Sequence, residues 1–356
     1  MKKTKAPSVA PIILPPHRRW SKFLISMGVI GIIVGVGFWF THYSKQESSN
    51  SIAEAVSYAP SINGNMVDEQ LAELRPMAVV IENSPEARPQ SGLSDAEVVY
   101  EMVSEGGITR FLAIFQSRQP ESIGPVRSAR PYFNFLANLW GAALVHSGGS
   151  TQALSELSSG VHRQLYDINE FFYGKYFTRD SRRSSPHNLY TTSEDLRELL
   201  IEKTQTAWQP IQVWEFESTP VDQLVTEISN ITIPFSGPLF AATYLYDPTT
   251  NSYQRSLTGR PHIDRNNDLQ ISAKNVIIHL TDITPTGDEL LTMNIRLTGS
   301  GPCYLFASGK LQECRWSYAD GKHDYRDADG NPLKLQPGPT WIHIFPQDRA
   351  GQLVWN

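Results

Sequence analysis

The sequence predicts a mixed fold of the α+β or α/β class, with a mixed N-terminal domain followed by a smaller β-rich C-terminal domain. Between residues 71 and 210, strand-length apolar runs alternate with helical patterns that open on polar capping residues. From residue 211 to 356, short strand-like runs are separated by turn pairs such as Asp247-Pro248 and Thr298-Gly299. A chain of 356 residues is also longer than a typical single domain with one hydrophobic core, which favours two domains.

The periodicity places the elements of both domains. In the first domain we expect strands at 77–81, 97–103, 110–116 and 142–146, and helices at 129–139, 151–157 and 193–203. The run 104–107 (SEGG) predicts a hairpin turn between two of these strands. In the second domain we expect strands at 243–247, 253–255, 275–280, 291–297, 303–306 and 341–345.

An uncharged apolar run near the start of the chain predicts a transmembrane helix at residues 23–41, ahead of both domains. Residues 23–40 alone would extend roughly 27 Å as a helix, close to the hydrocarbon thickness of a bilayer. Residues 1–22 hold six Lys or Arg and no acidic residue, so this basic tail is expected in the cytoplasm. The polar residues 42–70 then form a linker, and the two domains lie outside the membrane.

A cleaved signal peptide is the alternative interpretation of this run. No small-residue cleavage site follows it directly, and no Cys near its end could carry a lipid, so an uncleaved signal anchor is favoured. Beyond the basic tail, 25 Lys and Arg stand against 36 Asp and Glu, a net charge of about −11. A general nucleic-acid binder would show the opposite sign, so no nucleic-acid partner is expected.

Cys303 and Cys314 are the only cysteines of the chain. They flank a predicted tight turn at 308–310, and opposed hairpin positions are close enough for a disulfide. The oxidising compartment outside the membrane favours that bond, with two unpaired strand cysteines as the alternative. No cofactor and no metal are expected, because two cysteines without a nearby His pair do not make a zinc site.

Two Gly- and Arg-rich segments, 106–110 and 124–130, form the first candidate ligand site. Arg110, Arg127 and Arg130 offer forked donors for phosphate or carboxylate. Ser128 is a candidate N-cap for a helix beginning near Ala129, which would add free N–H groups at the same place. The opposing interpretation pairs these arginines with acidic residues at positions 82, 97, 101 or 105 and treats the glycines as turns. Spacing alone leaves both open.

Two further segments contain candidate ligand-binding residues. His146 and Ser147 open the Gly-rich turn 146–150 (HSGGS) between a strand and a helix, which suits an anion cradle. A Ser147 nucleophile with His146 or His187 is a weaker alternative. Arg182, Arg183 and His187 lie in a predicted loop, where a solvated basic loop is the competing interpretation.

These motifs resemble the YerB-like lipoprotein family of bacteria, whose function is largely unknown. The resemblance lies in the segments 75–79 (RPMAV), 87–93 (ARPQSGL), 105–111 (EGGITRF), 123–130 (IGPVRSAR), 146–150 (HSGGS), 186–190 (PHNLY) and 337–341 (PGPTW). It implies an N-terminal mixed domain followed by a smaller C-terminal domain. Members are often anchored through a lipidated Cys, whereas this chain has a predicted transmembrane anchor at the corresponding place.

Segment 127–130 (RSAR) is also faintly similar to the arginine motif of the LytR-CpsA-Psr phosphotransferases, which attach anionic glycopolymers to peptidoglycan. Their metal-binding acidic residue is not matched, because Thr109 and Arg110 stand in the preceding segment. We therefore expect a membrane-anchored envelope protein that binds peptidoglycan, an anionic glycopolymer or a cell-wall synthase. The alternative is a glycopolymer phosphotransferase-like enzyme acting on lipid-linked precursors, and the sequence leaves open whether turnover occurs.

Overall fold

The computed structural model describes residues 57–209, 212–217, 227–289 and 291–356. All of them belong to one compact unit, Ser57–Asn356. The predicted basic tail, the transmembrane helix and the first part of the linker lie outside the described residues. Within them, no helix is both long and apolar enough to cross a bilayer.

The described elements mix helices with strands, which confirms the predicted mixed fold class. The helices are α1 (Glu69–Ala72), α2 (Pro131–Leu139), α3 (Thr151–Ser159), α4 (Glu170–Tyr173) and α5 (Ser193–Glu202). The strands of the first half are β1 (Tyr58–Pro60), β2 (Met66–Asp68), β3 (Met77–Glu82), β4 (Val98–Glu105), β5 (Ile108–Phe115), β6 (Ala143–His146), β7 (Tyr166–Asn169), β8 (Thr178–Arg179) and β9 (Leu189–Tyr190). In the described part, all five α-helices precede residue 203.

The second half of the described chain is built of strands and short 3-10 turns. Its strands are β10 (Glu215–Phe216), β11 (Asn230–Pro234), β12 (Ala241–Asp247), β13 (Ser252–Leu257), β14 (Arg260–Pro261), β15 (Ser272–Ala273), β16 (Asn275–Thr281), β17 (Ile283–Pro285), β18 (Met293–Ile295), β19 (Ser300–Ala307), β20 (Lys310–Ala319), β21 (Lys322–Arg326), β22 (Lys334–Leu335), β23 (Thr340–Pro346) and β24 (Val354–Trp355).

One ten-stranded sheet runs through both halves in the order β21-β20-β19-β16-β23-β4-β5-β3-β6-β7. Its centre is the parallel pairing of β23 with β4, which sets Ile342 opposite Tyr100. The sheet therefore crosses the domain boundary predicted near residue 210. A second sheet, β14-β13-β12-β11-β24 with β15 paired to β13, packs against it.

Apolar residues cover both faces of the large sheet. Along β3, Val79 and Ile81 belong to the core shared with the second sheet and α5, whereas Ala78 and Val80 belong to the core shared with α2. This alternation follows from the two-residue period of a strand. Because both faces are covered, β3 reads as the continuous apolar run MAVVI instead of an alternating pattern.

A buried polar network joins the two sheets. Arg255 of β13 donates from Nη2 to Glu101 Oε2 at 2.8 Å and from Nη1 to the Tyr244 hydroxyl at 2.7 Å. Both side chains of the ion pair are completely buried. Burial alone would raise the pKa of Glu101, but the charges of Arg255 and His343 outweigh burial and hold that pKa below its ordinary value. The carboxylate therefore stays ionised inside the fold.

The predicted disulfide is confirmed. Cys303 of β19 and Cys314 of β20 are directly opposed in the antiparallel register, with their Cα atoms 4.8 Å apart. The turn between the two strands lies at Ser308 and Gly309, where both residues have positive φ.

Candidate functional site

The candidate segments converge at one edge of the large sheet. Strands β3, β4, β6 and β7 run in the same direction, so their carboxyl ends meet there, at Glu82, Glu105, His146 and Asn169. This edge is where open α/β sheets commonly bind ligands. Strand β5 begins at the same edge and sets Arg110 opposite Glu82.

Segment 126–130 lies across this edge and connects the Gly-rich turns. Its backbone bridges β3, through Val126 and Ile81, and the turn after β6, through Ala129 and Gly149. The Ser147 N–H also donates to the Arg127 carbonyl at 3.0 Å. The structure thus brings segments 106–110, 124–130 and 146–150 together, which sequence spacing alone could not show.

The predicted capping role of Ser128 is wrong. Helix α2 begins at Pro131, its N-cap is Arg130, and no side chain caps it. The proline accounts for the later start, because its ring fixes φ at a helical value and restricts the preceding residue to an extended backbone. Ser128 instead contributes its backbone carbonyl, which accepts from Arg110 Nη1 at 3.4 Å.

Arg110 and Arg130 share one acidic partner, Glu105. Arg110 pairs with Oε1, and Arg130 Nη2 lies 2.6 Å from Oε2. The two arginine side chains are only 3% and 8% exposed. Burial lowers the pKa of Arg110 to about 10, partly offset by Glu105, so this guanidinium stays charged at neutral pH. These two arginines are therefore internal partners that position the turn at 106–107.

Glu82 is the second acidic partner at the edge. Its carboxylate lies 3.4 Å from Arg127 Nε and 2.9 Å from His187 Nδ1, and the Ser84 hydroxyl donates to it at 3.1 Å. The Glu82 side chain is nearly buried, whereas Arg127 and His187 are each about a quarter exposed. Glu82 therefore holds two partly exposed side chains, the Arg127 guanidinium and the His187 imidazole, at the mouth of the edge.

His146 and Ser147 have partners of their own. The ring nitrogens of His146 bond the Gly148 carbonyl and Asp167, each at 2.6 Å. The Ser147 hydroxyl donates to Glu170. Because both His146 nitrogens bond other groups, the nucleophile hypothesis for the pair of Ser147 and His146 is wrong, whereas the alternative of Ser147 with His187 stays a prediction. Ser150 caps α3 through the Ala153 N–H, so this turn does open a helix as expected.

The loop 179–188 covers the edge, and its arginines differ in their partners. Arg183 donates to the carbonyls of Ala87 at 2.6 Å and Pro89 at 2.7 Å. Arg182 is 78% exposed and forms a two-point contact with Asp180. Hydrogen bonds from Arg182 hold the pKa of Asp180 well below its ordinary value.

A polar cavity of about 720 Å³ adjoins this loop, and it contains a residue that the sequence analysis did not select. Arg265 comes from the second half of the chain, and its Nη2 lies 2.8 Å from Asp180 Oδ2. Residues 264–268 (DRNND) have the acidic and amide composition of an ordinary turn, so no sequence signal marks this arginine. One of the predicted ligand-binding residues, Arg182, lines the cavity. Arg179 and Arg265 also line it, and neither was selected as a ligand-binding residue.

Two family models match the chain. The N-terminal domain of the "Protein of unknown function (DUF3048)" family matches residues 62–207, and its C-terminal domain matches residues 231–342. "Putative lipoprotein YerB" of Bacillus subtilis (strain 168) is 34% identical over 299 residues, which are 82% of this chain and 87% of that protein. The chain belongs to the DUF3048 family.

A solved structure that is similar to this chain has the same fold. The crystal structure of the YerB protein from Bacillus subtilis matches with a TM-score of 0.74 at 33% sequence identity, covering 84% of this chain and 99% of that chain. The resemblance to the YerB-like family is thereby confirmed. The fainter similarity to the LytR-CpsA-Psr phosphotransferases stays a prediction, as do the ligand-binding roles of the individual residues.

Proposed function

We propose that this DUF3048 protein is held at the outer face of the cytoplasmic membrane and binds an anionic ligand of the cell wall. The lipoprotein name of the Bacillus subtilis relative supports an envelope location. In this chain the predicted helix at 23–41 would take the place of a lipid anchor. The site is the sheet edge together with its covering loop.

An excess of arginine over acidic partners carries the proposal. Eight arginines surround the edge and the loop, and only four carboxylates pair with them in the described part of the chain. The arginines are Arg88, Arg110, Arg127, Arg130, Arg179, Arg182, Arg183 and Arg265, and the carboxylates are Glu82, Glu105, Glu170 and Asp180. Glu86, Asp167 and Asp264 add three carboxylates at the edge and the loop, so the arginines outnumber the carboxylates there by eight to seven. The local charge is therefore positive within an extracytoplasmic region whose sequence is acidic, so an anion is the complementary ligand.

Arg88 and Arg183 show how this excess arises. The hydrogen bonds of Arg88 go to the side-chain and backbone oxygens of Asn83 and to the Leu239 carbonyl. Those of Arg183 go to two backbone carbonyls. Amide oxygens orient a guanidinium without neutralising it, so both charges contribute to the potential that an anionic polymer would meet.

The test is sedimentation of the full, detergent-solubilised chain with purified cell walls. Walls that carry anionic glycopolymers, with phosphate or carboxylate groups, are compared with walls stripped of them, at 50 mM and 500 mM salt. We expect binding to the polymer-bearing walls that weakens at high salt, because salt screens charge–charge attraction. Equal binding to both wall preparations would contradict the proposal. Transfer of labelled polymer to peptidoglycan would instead assign the alternative phosphotransferase role.

Docking on a membrane-bound cell-wall synthase is a second candidate, favoured by two observations. Phe171 and Phe172 of α4 are 72% and 76% exposed, and Arg110 and Arg130 are already paired with Glu105. An exposed aromatic pair is a common component of protein interfaces. Replacement of both phenylalanines by Ser would abolish co-purification with such a synthase and leave wall binding unchanged. Under the leading proposal, wall binding depends on the arginines instead.

A further inference from the structure

The 720 Å³ cavity is assembled from both halves of the chain. One wall consists of the loop residues 178–182 and the strand end 190–192, and the other consists of Arg265 and Asn266. The second wall is docked by Asp264, whose carboxylate accepts from the Gly92 N–H at 3.1 Å and the Ser94 N–H at 2.7 Å. The two walls are therefore held at a set separation before any ligand arrives.

Two guanidinium groups converge in this cavity on a single carboxylate. Arg182 contacts Asp180 through Nε at 2.9 Å and Nη2 at 3.0 Å, and Arg265 contacts it through Nη2 at 2.8 Å. Each guanidinium has five N–H donors, so Arg182 keeps three without a protein acceptor in the described part of the chain. Asp180 thus orients both arginines and balances one of their two positive charges, whereas Arg179, which also lines the cavity, is paired with Glu170.

Hydroxyl groups line the rest of the cavity. Ser122, Thr178 and Ser181 are among its lining residues, and within the described residues their hydroxyls form no hydrogen bond. Tyr190 adds a ring, with its hydroxyl 3.4 Å from Arg265 Nη1. Unused hydroxyls beside a cationic pair complement a ligand that carries both hydroxyl groups and one negative charge. The cavity volume lies in the range of small-molecule sites, about 300 to 1,000 Å³.

We infer that this cavity is the subsite for one sugar unit that bears a phosphate or carboxylate group. Arg182 and Arg265 bind the anionic group, and the hydroxyls of Ser122, Thr178 and Ser181 bind the sugar. This inference rests on the proposed wall-binding function and names the ligand class and the residues that the function would use. Asp180 is a positioning residue that keeps the two arginines together.

Calorimetric titration of the full, detergent-solubilised chain tests the assignment. The probes are a hexose 1-phosphate, a hexuronate, inorganic phosphate and the neutral hexose. The variants are Arg182→Ala and Arg265→Ala, with Arg326→Ala as the matched control. Arg326 likewise pairs through Nε and Nη2 with an aspartate two residues earlier, Asp324 on β21, although both nitrogens contact one carboxylate oxygen.

We expect one of the two anionic sugars to bind and the neutral hexose to bind much more weakly. Each cavity substitution should weaken that binding by about tenfold to a hundredfold, the effect of losing a charge-assisted hydrogen bond. Arg326→Ala should stay within about twofold of the unsubstituted chain. The better of the two anionic sugars identifies phosphate or carboxylate as the natural group.

A second variant tests the sugar contacts separately. Thr178→Val replaces an exposed hydroxyl by a methyl group, so it should weaken the sugar phosphate several-fold and leave inorganic phosphate unchanged. Inorganic phosphate binding as tightly as the sugar phosphate would overturn the sugar part of the inference. Unchanged affinity in Arg182→Ala and Arg265→Ala would overturn the whole subsite, even if the unsubstituted chain still sediments with polymer-bearing walls. If the unsubstituted chain does not sediment with polymer-bearing walls, the proposed function itself is contradicted.

Discussion

Replacement of Arg255 by Met tests whether the buried network holds the two sheets together. The substitution keeps an unbranched side chain but removes three hydrogen bonds, to Glu101 at 2.8 Å, to Tyr244 at 2.7 Å and to His262 at 3.1 Å. It also removes the guanidinium stacked 4.4 Å from the Trp341 ring centroid. The Glu101 carboxylate is left buried, with His343, Thr109 and Asn83 as its remaining partners.

The expected loss of unfolding free energy is about 3 to 5 kcal/mol, the cost of breaking a buried ion pair by removing one member. For a unit of this size we expect roughly 2 °C per kcal/mol, so the melting temperature should fall by about 6 to 10 °C. Arg326→Met, at a half-exposed arginine paired with Asp324, should cost less than about 1 kcal/mol. Differential scanning calorimetry of the full chain measures both.

The pH dependence gives an independent check of the same pair. With Arg255 present, the pKa of Glu101 lies below its ordinary value of 4.5, so its contribution to stability is present above that pH and is lost in stronger acid. Without Arg255, burial raises the pKa of Glu101, so protonation relieves the penalty as the pH falls. The difference between the two proteins should therefore shrink towards pH 4.5.

The double variant Glu101→Gln, Arg255→Met removes both charges and should recover much of the lost stability. A loss in Arg255→Met no greater than that in Arg326→Met would refute the reasoning. So would a double variant whose loss equals the sum of the two single losses, because the pair would then be energetically independent.

Four further outcomes are expected. Burial lowers the pKa of His323 from 6.5 to about 4, so the free energy of unfolding should fall by up to about 3 kcal/mol as the pH drops from 6.5 to 4. Thermal melts of His323→Gln should show a weaker dependence of stability on pH over the same range. Replacement of both Cys303 and Cys314 by Ser should cost about 3 kcal/mol in urea unfolding, since the bond closes a short loop with a sequence separation of 11. Glu105→Gln leaves two buried guanidinium groups without a carboxylate and should lower the melting temperature more than Glu313→Gln on β20. Protease added to intact spheroplasts should digest the part after residue 41, and protection of that part would contradict the anchor topology.

Elements defined by local chemistry were predictable from the sequence. The hairpin at 104–107 and the helices at 151–159 and 193–202 follow from turn glycines and capping residues, whose effects act within a few positions. Helix α2 was placed two residues early because Ser128 fits a capping pattern that the backbone before Pro131 does not form. The disulfide was also predictable, since a hairpin register brings its cysteines face to face.

The candidate site was predictable only in pieces. The sequence identified Arg110, Arg127 and Arg130 but left two interpretations open, and the structure places Glu105 and Glu82 beside them. It gave no reason to select Arg265, which reaches Asp180 from 85 positions along the chain. Composition and motif spacing show which hydrogen-bond donors are present. Whether each donor already has a partner within the protein depends on the residues that folding brings next to it.

By itself, the sequence determined the family, the alternation of helices and strands, the disulfide and a set of arginine-rich segments. These properties depend on residue type and on neighbours within one turn or one hairpin. Only the tertiary structure decided that β23 pairs with β4, that Glu101 meets Arg255, and that the cavity has walls from both halves. Such contacts arise because burying the faces of a shared sheet stabilises distant strands against each other, and no local pattern encodes which partner a strand will find.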